Sequence, residues 1–322
     1  METGMNVTSS QGMRSVEMAD VRKTLRTNPG DVRMFAERKL ALIVDLDETL
    51  ICARMAEDDG RRERGVATVL TTRGAWKVVA RPHLMEFLRI ASNKFDVFIA
   101  TLADQSYASQ VLSELAPDWD RYVVKVFTRK SFGSGRKFIP ELVGTPDMTV
   151  IVDDRSDVWQ SALLRNWIEV PPYRAFADDG SRLPGAATDV HLLHTLGKLE
   201  KLHAAFYSDP PPRRQYMSAV LGDLMRSVLS GAVVYTYGAT DDEFALILQA
   251  ADALGAKVVV AANSPGITHV ILLKKPDDYF PGMATVSIRW LTMALATWDR
   301  PDDGMFSIKR GDRVERPKIV TC

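Results

Sequence analysis

Short apolar runs, each too brief for a helix, alternate along this chain with segments whose apolar residues recur at helical spacing. Lys39 to Asp45 is a short apolar run that ends in acid, and it reads as a strand buried on both faces. Phe95 to Thr101, Tyr122 to Phe127 and Met148 to Asp153 repeat the pattern. His83 to Ser92 and Ser106 to Leu115 read as helices, the first opened by Pro82, whose missing N–H is tolerated in a first turn. Val66–Thr72 and Ala75–Ala80, separated by Arg73-Gly74, predict a hairpin, preceded by a charged loop from Ala56 to Gly65. This alternation predicts an α/β fold: a doubly wound parallel sheet with helices on both faces and a small β-hairpin insertion.

The pattern stops and then restarts. His191 to Phe206 is an amphipathic helix, and Pro210, Pro211 and Pro212 follow it within Ser208 to Gln215, a composition that favours an extended, semi-rigid spacer. Beyond it, strands are predicted at 232–236, 257–261 and 268–273, with helices at 242–254 and 287–297. The expected division is a flexible N-terminal segment at 1–38, in which Val16 to Arg26 is a candidate helix, a first domain at 39–207, a Pro-rich linker at 208–216, a smaller α/β domain at 217–312 and a tail at 313–322.

Composition narrows the function classes. Hydrophobic residues make up 46% of the 322 and charged residues 25%, which suits a globular protein and is too apolar for a disordered one. Lys plus Arg and Asp plus Glu each total 41, so no net charge favours nucleic acid or an anionic membrane. The two cysteines, Cys52 and Cys322, cannot form a disulfide framework or a four-thiolate zinc site, and they fit a reducing compartment. No apolar run approaches the ~18 residues of a spanning helix. A cytosolic or nuclear protein is expected, and the family resemblance described below is what favours the nucleus. His191 and His194, three apart on a leucine-rich helix, read as partly buried helix residues and not as a metal pair.

Candidate chemistry gathers at strand ends. The first strand runs into Asp45-Leu46-Asp47-Glu48-Thr49, the second ends in Thr101, and the fourth ends in Asp153-Asp154. Ligands of open parallel sheets lie outside the carboxyl ends of the strands, so Asp45, Asp47, Thr101 and Asp154 converge if those strands are neighbours. Acids crowded in one crevice repel one another unless a cation joins them, and an all-oxygen donor set favours magnesium over zinc. A carboxylate can attack a phosphoryl group, an acid two residues on can protonate the leaving oxygen, and a hydroxyl and a lysine can hold the equatorial oxygens.

These segments resemble the Fcp/Scp phosphatases of the haloacid dehalogenase superfamily, which dephosphorylate the carboxyl-terminal domain of the largest chain of RNA polymerase II. Asp45-Leu46-Asp47-Glu48-Thr49-Leu50 is similar to the Asp-x-Asp-x-Thr signature, and Arg81-Pro82-His83-Leu84-Met85-Glu86-Phe87-Leu88 to an Arg-Pro helix start. Phe98 to Thr101 with Tyr107-Ala108 resembles the second motif, and Asp153 to Trp159, continued by Asn166 to Tyr173, that of the Fcp branch. The resemblance covers roughly 39–207. It implies that Asp45 is the nucleophile and Asp47 the general acid–base. Magnesium would sit on the Asp45 carboxylate, the Asp47 carbonyl and Asp154, and Thr101 and Lys137 would hold the phosphoryl oxygens. Thr49 and Asp153 would support them, with Lys130 as the alternative lysine.

The second domain resembles a BRCT module in Leu254-Gly255-Ala256, Thr268-His269 and Trp290. For a phosphopeptide site there, Thr236-Tyr237-Gly238 offers a hydroxyl, with Lys274 and Lys275 as candidate cations. The expected activity is a magnesium-dependent protein serine/threonine phosphatase working through an aspartyl phosphate. Its expected partner is the phosphorylated RNA polymerase II C-terminal domain or another phosphoprotein, with a protein partner possible through BRCT. The competing readings are a catalytically silent phosphoprotein-binding scaffold and a phosphatase of a small metabolite; the short 56–80 insertion, which leaves the crevice open to an extended peptide, favours the protein substrate.

Overall fold

The computed structural model describes residues 28–56, 63–133, 135–208, 216–276, 280–309 and 311–314. The candidate helix at Val16 to Arg26, Arg61-Arg62 of the charged loop, most of the Pro-rich spacer and the end of the tail lie outside the described residues.

The expected loose N-terminal segment holds a helix, α1 (Pro29–Ala36). Asn28 caps it by accepting from Gly30 N at 2.8 Å, and Pro29 starts its first turn. Met34 is buried in the main core, and the Asp31 carboxylate accepts from Thr145 N at 3.0 Å and from Thr145 Oγ1 at 2.6 Å. Eight residues with mixed charges gave no clear period, so tertiary packing selected this helix.

Strands β1 (Leu40–Val44), β2 (Ile51–Ala56), β3 (Ala67–Thr71) and β4 (Gly74–Ala80) come next, followed by helix α2 (Leu84–Ala91), β5 (Phe95–Ala100), α3 (Gln105–Leu115), β6 (Val123–Phe127), β7 (Thr149–Asp153) and β8 (Trp167–Glu169). The main sheet has the order β6-β5-β1-β7-β8 and all its pairs are parallel. β1, buried at every position, lies at its centre between β5 and β7, so the three acid- and hydroxyl-bearing ends are adjacent. The predicted hairpin β3–β4 is present and gains a third strand, β2, in an antiparallel sheet of order β2-β4-β3. β2 was not expected from sequence, because Arg54 interrupts its apolar character. β8 was missed as well; three residues carry too little pattern.

Helix α4 (His191–Phe206) matches the predicted bounds. It is followed by an unpredicted helix α5 (Met217–Ser227), then β9 (Val233–Tyr237), α6 (Asp241–Ala253), β10 (Lys257–Val259), β11 (His269–Leu272), β12 (Ala284–Ser287) and α7 (Arg289–Thr297). Thr240 and Glu243 close a capping box on α6. The second sheet, β10-β9-β11-β12, is parallel throughout, with β12 as a strand the sequence reading omitted. Trp290 is fully buried, stacked on His269 at 4.5 Å, with Nε1 donating to Asp303 at 2.9 Å.

The two parallel sheets share one large interior, although Ile267, Val270 and Leu272 form a separate small cluster within the second unit. α4 packs on α5 and α7, and buried residues of both halves form one continuous apolar cluster. Lys198 lies over the Trp298 ring at 5.2 Å, and Lys201 Nζ donates to Thr297 O at 2.7 Å and Trp298 O at 3.2 Å, capping the negative end of α7. A chain ending at Ser208 is therefore expected to melt well below the full chain, since α4 would present its apolar face to water at about 25 cal/mol per Å². Equal melting temperatures in a calorimetric scan would show that the two halves fold independently.

Candidate active site

After β1 the chain turns sharply. Asp45 N still belongs to the sheet, donating to Val152 O at 2.9 Å, and Leu50 N returns to Leu46 O at 2.9 Å. Glu48 takes a left-handed conformation (φ 59°), rare for a residue with a side chain and concentrated where function holds it. Its carbonyl accepts from Tyr173 N at 2.6 Å. Thr49 then reaches the end of β7: its hydroxyl donates to Asp154 Oδ1 at 3.0 Å and accepts from Asp154 N at 3.1 Å.

Behind this turn lies Arg81, fully buried. It pairs with Asp189 through two bonds of 2.8 and 3.0 Å and donates to Thr49 O at 3.1 Å and Pro171 O at 2.9 Å. Burial pushes the Asp189 carboxyl up, but bonds from His191 and Arg81 and the Arg81 charge outweigh it and hold it far below the usual range. Asp189→Asn is expected to cost about 3 kcal/mol at neutral pH, because it leaves the guanidinium underpaired in the interior. A carboxyl depressed in the folded state stabilises above its unfolded value of about 3.9, and that contribution is lost as pH falls toward the lower folded value. The gap between the two proteins should thus be widest near pH 7 and shrink below about pH 4 in denaturant titrations; a pH-independent gap would reject the pairing as its source.

Asp45 is 7% exposed and Lys137 2%. Lys137 Nζ lies 2.5 Å from Asp45 Oδ1 and 2.8 Å from Asp153 Oδ2. Asp153 is fully engaged, also accepting from Trp159 Nε1 at 2.8 Å and Arg155 N at 2.8 Å. It orients the lysine. Lys130, the alternative, is exposed on the short helical turn Arg129–Phe132, away from the acids. Thr101 is buried at the end of β5, where its hydroxyl accepts from Ala103 N at 2.9 Å and donates to Asp47 Oδ2 at 3.3 Å. The other Asp47 oxygen accepts from Tyr107 OH at 2.7 Å.

Burial dominates the electrostatics of the cluster. Burial pushes the Asp45 carboxyl well above the ordinary range; Lys137 opposes this, while Asp153 and Asp47 add to it. Burial and Asp153 raise Asp154 to about 6, and burial also raises Asp47 against the bonds from Tyr107 and Thr101. Burial alone would lower the Lys137 ammonium, but Asp45 and Asp153 outweigh it and keep it above its usual value. Oxygens of Asp45, Asp153 and Asp154 lie within 4.8 Å of one another, and with Asp153 taken up by Lys137, Trp159 and Arg155 N, Asp45 and Asp154 are the carboxylates that fit a hard divalent cation.

These groups floor a cleft of about 590 Å³ whose walls include Arg73 and Trp76 from the β3–β4 hairpin, Tyr107 from α3, and Arg129. The structure thus brings Asp45, Asp47, Thr49, Thr101, Lys137, Asp153 and Asp154 together. Sequence reasoning missed the contacts of Tyr107, Trp76, Trp159 and the Arg81–Asp189 pair. Arg81, Tyr107 and Trp159 each stood inside a motif, but a motif does not say what a side chain touches.

The sequence pattern of the NLI interacting factor-like phosphatase family matches residues 40–209. The chain is 24% identical over 315 residues to an RNA polymerase II C-terminal domain phosphatase of Caenorhabditis elegans, covering 86% of this chain and 47% of that one. It is 33% identical over 139 residues to the protein of the same name in Saccharomyces cerevisiae, covering 42% of this chain and 18% of that one. The chain thus spans about half the length, or less, of these relatives. The solved structure of Fcp1, an essential RNA polymerase II CTD phosphatase, superposes with a TM-score of 0.60 at 22% identity, covering 85% of this chain and 97% of that one, and so shares its fold. A family match over more than half of the chain, on the fold and crevice described above, makes this chain a member of the NLI interacting factor-like phosphatases.

Proposed function

We propose that this chain is a magnesium-dependent protein serine/threonine phosphatase whose substrate is the phosphorylated C-terminal domain of RNA polymerase II. The observation that carries the reading is Asp45 at the end of the central strand, buried, with its Oδ1 held by Lys137. The other Asp45 oxygen attacks phosphorus, the P–O bond to the serine or threonine breaks, and the electron pair leaves on that oxygen, which takes a proton from Asp47. Asp47, now ionised, takes a proton from water as the water attacks phosphorus, and the bond to Asp45 breaks to release phosphate. Thr101 and Lys137 hold the equatorial oxygens. Magnesium, on Asp45, the Asp47 carbonyl and Asp154, would neutralise phosphoryl and carboxylate charge. Thr49 fixes Asp154 for that task, and Asp153 fixes Lys137.

The substrate assignment draws on the activity in the names of the relatives and on the open cleft, walled by a short hairpin sheet. The same reading divides the chain into a phosphatase domain at 39–207 and a BRCT domain at 217–312 joined by a Pro-rich linker, and assigns it to the nucleus. The BRCT unit serves recruitment or substrate orientation. Among the described residues no helix is long and apolar enough to cross a membrane.

Phosphate release from a phosphoserine peptide panel that includes polymerase-tail repeats tests the proposal. Turnover with magnesium, ranked in favour of those repeats and abolished by a chelator, is expected. Full activity in the chelator would reject the metal, and a ranking that ignores the repeats would reject the substrate.

A further inference from the structure

Asp47 is gripped unequally. Tyr107 OH donates to Oδ1 at 2.7 Å, a short bond to a carboxylate, whereas the Thr101 hydroxyl reaches Oδ2 at 3.3 Å, a long one. The weaker contact is also the one that the proposed chemistry must break, because Thr101 is needed at a phosphoryl oxygen. Its own oxygen already accepts from Ala103 N at 2.9 Å, so the hydroxyl swings as a donor from Asp47 to the phosphoryl group without losing its backbone anchor. That swing exposes Oδ2 and leaves Oδ1 bound.

Tyr107 cannot follow. Its ring is largely buried on α3 and meets the Trp76 ring edge-on, with centroids 6.0 Å apart and planes at 69°. Burial, reinforced by the Asp47 charge, keeps its hydroxyl protonated, so towards Asp47 it acts only as a donor. Trp76 comes from the hairpin sheet, which makes the Trp76–Tyr107–Asp47 contacts the physical link between the cleft wall and the group that handles the proton.

We propose that Tyr107 is a positioning residue that holds Asp47 Oδ1, so that Oδ2 alone delivers a proton to the leaving oxygen and takes one from water. The proposal rests on the phosphatase reading above and adds the residue that aims its acid.

A positioned acid matters in proportion to the leaving group's need for a proton. An alkoxide leaving from phosphoserine needs it; a nitrophenolate does not. The test compares kcat/KM, which reports steps through the first phosphoryl transfer, for a phosphoserine peptide and p-nitrophenyl phosphate. In the full chain with magnesium, Tyr107→Phe is expected to lower the peptide-to-aryl ratio of kcat/KM by about tenfold, part of the ~10²–10⁴ that general acid catalysis supplies. Asp47→Asn should lower the ratio further, and adding Tyr107→Phe to Asp47→Asn should not change it again, since Tyr107 acts through that carboxyl. Equal losses on both substrates, or a second fall in the ratio in the double variant, would overturn the proposal and leave the phosphatase reading standing. No turnover of either substrate by the unmodified chain would overturn both.

Discussion

Replacing Asp45 by Asn is expected to lower phosphate release from a phosphoserine peptide by at least ~10³-fold, because loss of a covalent nucleophile removes the pathway and does not merely weaken it. The fold should survive. Asn keeps the volume, its carbonyl can accept from Lys137 in place of Oδ1, and Asp153 still pairs that lysine. The substitution also removes a buried carboxylate that Asp153 and Asp47 repel. The melting temperature should therefore match or exceed that of the unmodified chain. Phosphate release and a thermal scan on the same preparation check both halves. Release near the unmodified rate would eliminate Asp45 as the nucleophile, and a collapsed melting temperature would show that its role is structural.

Lys137→Met should damage both function and stability. It strips the cation from Asp45 and Asp153, which lie almost wholly out of water, and breaking a buried pair in this way costs about 3–5 kcal/mol. Under the proposed mechanism it also removes a phosphoryl donor, worth about 10²–10³ in rate by analogy with other preorganised donors. Lys137→Arg is not expected to rescue it, since a planar fork does not fit a niche shaped for a point charge between two carboxylates. Lys130→Met is the internal control: an exposed surface change should stay within about 0.5 kcal/mol of the unmodified chain and keep its rate. Denaturant unfolding and aryl phosphate hydrolysis separate the two lysines. If the Lys130 variant lost activity and the Lys137 variant kept it, the assignment would reverse.

Much of the site was legible before any coordinates because it is built from strand ends. A parallel strand buried on both faces is an unbroken apolar run, so the expected strands at Lys39–Asp45 and Met148–Asp153 match β1 and β7 to within a residue at each end, and the polar residues after them had to lie at one edge of the sheet. Lys137 was harder. It stands in irregular chain, joined to the sheet region by a single bridge to Trp159, and no period distinguishes it from Lys130. α1 and β2 were obscured for a related reason: both are short and mixed in polarity, and they hold their shape through contacts with distant residues such as Thr145 and β4.

By itself, then, the sequence determined the alternation of strands and helices and the carboxylates and hydroxyl at the strand ends, because each is written in local periodicity or in residue type at a strand terminus. Only the tertiary structure decided which lysine meets Asp45, that Tyr107 and Thr101 divide the two oxygens of Asp47, that Arg81 and Asp189 brace the turn from 108 residues apart, and that α4 joins both sheets in one core. Those are pairings between side chains far apart in sequence, set by packing and by the cost of leaving a buried charge or donor unpaired, and no local pattern encodes them.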